Sequence, residues 1–177
     1  MIELQLSQFA KARVWLSELP PIGIQPTKIF KRVLPSTVSR IKEPRLAGIE
    51  LYVPVGARIN YALLAGKFVP TESAHLSIEI PVTDETGELV AWALASNIDK
   101  VQAGLPEEYA DAVLKGMSEA ANILGSGILT LGPTAHGEIS SSSHMFTTAA
   151  QALLSVLNTD SRLLSKETII QILKGII

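Results

Sequence analysis

The chain contains no cysteine, which excludes disulfides, thiolate zinc sites and a cysteine nucleophile. Charge is also scarce. Asp, Glu, Lys and Arg make up 18% of the 177 residues, against a usual share of about 25%. A chain this short of charge has apolar surface to hide, which points to a partner or a self-association face. No G-x-x-x-x-G-K-[ST] pattern occurs, so nothing is expected to cradle nucleotide phosphates. Long apolar runs are missing too. The two stretches without formal charge, 120–137 and 139–159, are broken by Gly, Ser, Thr, Asn or His, and neither reads as a bilayer span. The opening Met1-Ile2-Glu3-Leu4-Gln5-Leu6 lacks a basic region followed by an apolar run, so no signal peptide is expected. The expectation is a soluble, cytoplasmic protein with no membrane partner.

What is present suits a packed domain. The hydrophobic fraction is 47%, and a chain of this length buries roughly 70% of the surface its unfolded form exposes. The net charge of −2 conceals an asymmetry. Residues 1–60 hold nine Lys/Arg against four acids, a formal +5, while the remainder holds six against thirteen, −7. A basic front suits phosphate. It also suits a solvated face packed near its own acidic half, since it lacks the interleaved aromatics that stack bases.

Ser7 is placed to cap a short helix with Phe9, Leu16 and Leu19 on one face, ended by Pro20-Pro21. From there to Pro44 the punctuation by Gly23, Pro26 and Pro35 predicts irregular chain with at most short strands. Alternation then takes over. Ile49, Leu51, Val53 and Val55 predict a half-buried strand, with Pro54 suggesting an edge, and Ile59, Tyr61 and Leu63 continue after Gly56. Leu76, Ile78, Ile80 and Val82 form the cleanest strand pattern; Asp84-Glu85-Thr86-Gly87 reads as a turn and Leu89–Ala95 as the next strand. Pro106 with Glu107 and Glu108 starts a helix through Leu124, stopped by Gly125-Ser126-Gly127. A short strand at Ile128–Leu131 precedes a loop, Gly132–Gly137, and the serines at 140–143 cap a helix carrying Phe146, Leu153 and Leu157. Ser165 caps a last helix. Strands first and helices later give an α+β class in two layers, with Ile78, Ile80, Trp92, Val113, Met117, Leu131, Phe146 and Leu153 as core.

Three segments then carry a resemblance. They are Gly66-Lys67-Phe68-Val69 with Ala74-His75-Leu76-Ser77-Ile78-Glu79-Ile80; Gly104 to Gly116, with Pro106, Glu108, Tyr109, Ala112, Val113 and Gly116; and Leu129-Thr130-Leu131 through Glu138-Ile139-Ser140-Ser141-Ser142 to Phe146. In order and spacing, 66–157 resembles domain IV of translation elongation factor G, here without a GTPase domain. The resemblance implies a ribosomal protein S5 domain 2-like fold: a two-layer sandwich of a mixed four-stranded sheet with helices on one face. The domain is expected at 49–177, with 1–48 a basic extension packed on it. In that family the domain reaches the ribosomal decoding centre with its loop tips. Here the first tip, Pro70-Thr71-Glu72-Ser73, is short and acidic, and the second has Gly137 where the family carries a histidine, with His136 one residue earlier.

The expected function is a non-catalytic module bound to the ribosome or another RNA, with no cofactor, no nucleotide and no metal. RNA or partner contact is expected through Lys28, Lys31, Arg32, Arg40 and Lys42, because the loop tip His136, Gly137, Glu138 has lost its positive charge. The alternative is a homo-oligomer formed through the low-charge helical face, without RNA. His136 and Glu138 form an H-x-E without the thiolates a zinc deaminase needs. Glu138 is the only charge between Glu119 and Asp160; it reads either as a general base or as an acid stabilised at a helix N-terminus. The serines near His136 and His144 lack a nucleophile elbow.

Overall fold

The computed structural model describes residues 1–84 and 87–177, apart from the Ser161 side chain. Their strands form one sheet: β1 (Ile2–Gln5), β2 (Lys11–Leu16), β3 (Lys28–Pro35), β4 (Arg45–Val55), β5 (Arg58–Pro70), β6 (His75–Val82), β7 (Val101–Ala103) and β8 (Gly127–Gly137). The order is β1-β2-β4-β5-β8-β6-β3, with β7 paired to the far end of β8. Neighbours run antiparallel except β6 and β8, which pair in parallel. The sheet is therefore mixed, and it has eight strands, not the four expected. The class is α+β, with helices α1 (Ala110–Gly116), α2 (Ala120–Leu124), α3 (Ser143–Asn158) and α4 (Lys166–Lys174) on one side.

Several expectations are corrected. Ser7 caps no helix: its Oγ accepts the Ala10 N–H in a turn between β1 and β2. Leu4, Ala12 and Val14 bury in a two-residue period while Phe9 stays exposed, so alternation prevails over the helical spacing. Residues 28–35, expected to be irregular, form an eight-residue strand. Residues 1–48 thus supply three strands and the start of β4. Pro54 is not on an edge strand; it lies past the last β2 pair, Lys11–Tyr52, where β4 has lost its outer neighbour. Leu89–Ala95 is no strand. Only Leu89 makes a bridge, to Gln102, and the chain then turns repeatedly, Ala93 N–H to Val90 C=O and Ser96 N–H to Ala93 C=O. The loop expected at 132–137 is the second half of β8, which pairs with β5 at Leu63–Ala135 past an irregularity between Leu64 and Gly66, and with β7. The turn expected at 84–87 lies partly outside the described residues.

The helix expected from Pro106 to Leu124 is a 3-10 turn at Glu107–Tyr109, then α1 and α2, interrupted at 117–119. α1 crosses α3 at Gly116, where an added Cβ would sit 2.5 Å from Thr147 O and 2.6 Å from the Ala150 Cβ. Ser142 caps α3 by accepting the Met145 N–H, and Ser165 caps α4 by accepting the Thr168 N–H. α3 is the central helix; its Met145, Phe146, Leu153, Leu154 and Leu157 are all buried. Its burial accounts for the uncharged stretch 139–159, whose apolar face is mostly spent inside the chain.

The opposite face of the sheet is half covered. Residues 87–103, with Ile22 and Ile24, fold over Trp15, Tyr61, Leu63 and Ala135 as a second, smaller core. Trp92, expected in the core, is 39% exposed and lies beside Trp15, ring centroids 6.0 Å apart. The other expected core residues are buried.

Candidate functional site

The basic residues do not form one patch. Lys28, Lys31 and Arg32 lie on β3, an edge strand. Lys28 is 2.8 Å from a Glu107 carboxylate oxygen and stands over the Phe30 ring, and Lys31 is 2.8 Å from Glu79. Arg40 and Lys42 follow on the crossing to β4 and line an open cleft of about 620 Å³ with Arg45, Asp160 and Arg162. Lys42 Nζ donates to Ser39 C=O at 3.3 Å. Arg45 donates through Nη1 to Leu157 and Asn158 C=O, at 2.9 and 2.7 Å, closing the C-terminus of α3 as a cation suits that end of the dipole. Arg162 donates to Asp160 and holds its carboxyl well below the usual range.

Of the residues expected on a loop tip, His136 and Gly137 end β8, while Glu138 begins the turn that follows it. His136 is on β8 and buried; its Nδ1 donates to Gly104 C=O at 3.0 Å. Gly137 ends β8, where a Cβ would collide with Ser140 Oγ and the Asp99 carboxylate. Any residue with a Cβ at position 137 would require Ser140 Oγ and the Asp99 carboxylate to shift. Asp99 accepts from Ser140 Oγ at 2.6 Å, Ser140 N–H at 2.8 Å and Ile139 N–H at 3.1 Å. Partial burial pushes its carboxyl up, but these hydrogen bonds outweigh that and hold it below the ordinary 3.8. Glu138 is more than half exposed and lies 3.8 Å from Lys100. It does not sit in the first turn of α3, which begins at Ser143. His136, Glu138, Lys100, Gln102 and Glu108 share a shallow cleft of about 630 Å³. Among the described residues no group of three or more His, Asp or Glu side chains is placed to hold a metal ion.

Sequence reasoning missed one cluster. Glu50 has no exposed surface. It accepts from Leu94 N–H at 2.7 Å and Tyr61 Oη–H at 3.0 Å, with Arg13 Nη1 at 3.4 Å. Arg13 also bonds Glu3 and Trp92 C=O. Burial pushes the Glu50 carboxyl above 4.5, against the Leu94 N–H and the Arg13 charge. Burial and the Glu50 charge push Tyr61 up as well. In the register Glu3, Arg13 and Glu50 lie in one row across β1, β2 and β4. An acid alternating with Ile49 and Leu51 reads as solvent-facing, so only the pairing of distant strands would have exposed this row. Glu50 and Arg13 together hold the 92–94 segment to the sheet.

No protein-family model matches this chain, and no curated protein matches it. Among the described residues no helix is long and apolar enough to cross a membrane. The class that can be stated is an α+β protein with a mixed sheet and helices on one side.

Proposed function

We propose that the chain is a non-catalytic binding module of ribosomal S5 domain 2-like architecture, related to domain IV of elongation factor G, that contacts structured RNA such as the ribosome. The parallel β6–β8 pair, joined across the helix side through α1 and α2, supports the fold assignment. One observation carries the RNA reading: Arg40, Lys42, Arg45 and Arg162 gather at one open cleft, four cations against the acids Glu43 and Asp160, although they come from segments more than a hundred residues apart. Arg40 and Lys42 make no ion pair among the described residues, so their charge is available to phosphate. Lys28 and Lys31 are neutralised by Glu107 and Glu79 and rank below them.

Co-sedimentation with ribosomes from the protein's own cells, repeated across salt concentrations, tests this. Arg40→Glu with Lys42→Glu should weaken binding and reduce the log–log salt slope by about 0.7–0.9 for each phosphate no longer neutralised. Absence of ribosome and RNA binding even in low salt would overturn it.

A further inference from the structure

The shallow cleft beside β7 contains a buried side chain whose hydrogen bonding is incomplete. Gln102 and His136 are directly opposed in the β7–β8 register, so their side chains stand on one face of that ribbon. Both line the cleft, while Val101 and Ala103, on the other face, join the smaller core. His136 is 5% exposed. A carbonyl only accepts, so the bond to Gly104 C=O places a proton on Nδ1. Gly104 has φ 110°, a conformation that favours glycine, and a Cβ there would collide with Thr83. The backbone that orients the ring therefore requires glycine. His136 Nε2 has no hydrogen-bond partner among the described residues. Nor is it sealed: the buried side-chain atoms without a partner among those residues are Thr83 Oγ1 and Thr134 Oγ1. It opens on the cleft, where water or a ligand must meet it.

Gln102 is oriented as well. Its Oε1 accepts the Gly87 N–H at 3.1 Å, which leaves the amide NH2 as a donor with no partner among the described residues. The cleft thus sets a donor beside an imidazole nitrogen. A neutral ring protonated on Nδ1 carries its lone pair on Nε2. The complement is one edge with a C=O for Gln102 and an N–H for His136. Leu89, Pro106 and Tyr109 line the same cleft, and Leu89 is 68% exposed, so a flat apolar body would find cover there. Charge does not select the occupant, since Lys100 and Glu138 face each other at 3.8 Å. Hydrogen bonding does. We propose that this cleft binds a small planar molecule through a primary carboxamide or lactam edge, its C=O accepting from Gln102 and its N–H donating to His136 Nε2. The site shares no residue with the Arg40–Lys42 cleft, so either reading can fail alone.

The test is an NMR titration of the full, 15N-labelled chain with benzamide, benzoate, N,N-dimethylbenzamide and uracil. Benzamide and uracil should bind with a Kd on the order of 1 mM, shifting the Gln102 side-chain NH2 and the His136 Nε2 resonance. N,N-dimethylbenzamide keeps the ring and the C=O but has no N–H, and benzoate offers only acceptors; both should bind at least about tenfold more weakly. Gln102→Glu retains an acceptor for the Gly87 N–H and removes the outward donor, so it should weaken benzamide about tenfold with the α3 amides unchanged. Should that variant lose its fold, the comparison of benzamide with its dimethyl analogue on the wild type decides the matter. No shift at Gln102 and His136 with about 10 mM benzamide overturns the proposal. Equal binding of the dimethyl analogue would reduce the site to an apolar depression, and preference for benzoate would show a charged ring presenting Nε2–H; each overturns the amide edge. Oligouridylate shifting the same resonances more tightly than uracil would move the occupant to RNA and overturns the small molecule.

Discussion

On the helix side of the sheet Leu76, Ile78, Ile80 and Val82 of β6 are all buried, while on the other side their neighbours Ser77, Glu79 and Pro81 are only partly so. The same strand thus faces a sealed core and an unfinished surface. Toward β2 and β4 that second side is closed by residues 87–103, which seat themselves with polar anchors: Leu94 N–H on Glu50, and Asp99 on Ile139 and Ser140. The contrast shows two ways of holding a layer. α3 is held by apolar area, which is cumulative and tolerant of small losses. The 87–103 cover buries smaller side chains such as Val90, Ala93 and Ala95 and relies on a few hydrogen bonds, each costly to remove.

Phe146→Ala sharpens that contrast most. Phe146 is fully buried and stacked on Tyr109 at 4.8 Å, so its loss should cost about 3–5 kcal/mol in urea denaturation. A value below about 1 kcal/mol would mean the helix layer is not the principal core. On the other side, Asp99→Ala should cost about 1.5–3 kcal/mol, the range for hydrogen bonds to a charged group. It should also speed amide exchange at Ile139 and Ser140 while leaving α3 protected. Equal loss of protection in α3 would show that cover and helix layer open together.

The two anchors should differ in pH dependence. Glu50 has a folded pKa above 4.5, so its favourable contribution is complete below that value and is lost as pH rises through the folded pKa. Asp99 is shifted down from 3.8, so its contribution is present above that value and is lost as pH falls. Relative to Glu50→Gln, the wild type should therefore lose stability as pH is raised from about 4.5 toward neutrality. A pH-independent gap would mean that Glu50 does not titrate differently on folding. The smallest effect is expected on the uncovered half of the face, where Ile29→Ala should change stability by no more than about 0.5 kcal/mol.

Much of the architecture is legible in residue order. The β6 alternation, the Ser142 and Ser165 caps and the apolar face of α3 are local patterns, and local rules find them. The β1–β2 hairpin is hidden because Phe9, Leu16 and Leu19 also fit a helical face; exposure of Phe9 to solvent is visible only in the folded chain. Leu89–Ala95 imitates a strand because its apolar residues fill a concave cover by turning, and turns of that kind leave no periodic signature of their own. The candidate sites fare similarly. Lys28 to Lys42 read as one basic run, yet on β3 Lys28 and Lys31 meet acidic partners, while the crossing to β4 carries Arg40 and Lys42 to a cleft completed by Arg45 and Arg162.

By itself, the sequence determined the α+β class, the helix layer, and the lack of cysteine and of a P-loop motif, since these follow from composition and from periods spanning a few residues. Tertiary structure alone decided that eight strands join one sheet, that β3 lies at its edge, that Gly137 packs against Ser140 and Asp99, and that Glu50 is buried against Arg13 and Tyr61. Each of these depends on contacts between residues far apart in the chain. A strand's own alternation specifies its two faces but not which strand lies beside it or which face is later covered, and those choices set whether a charge is solvated, paired or buried.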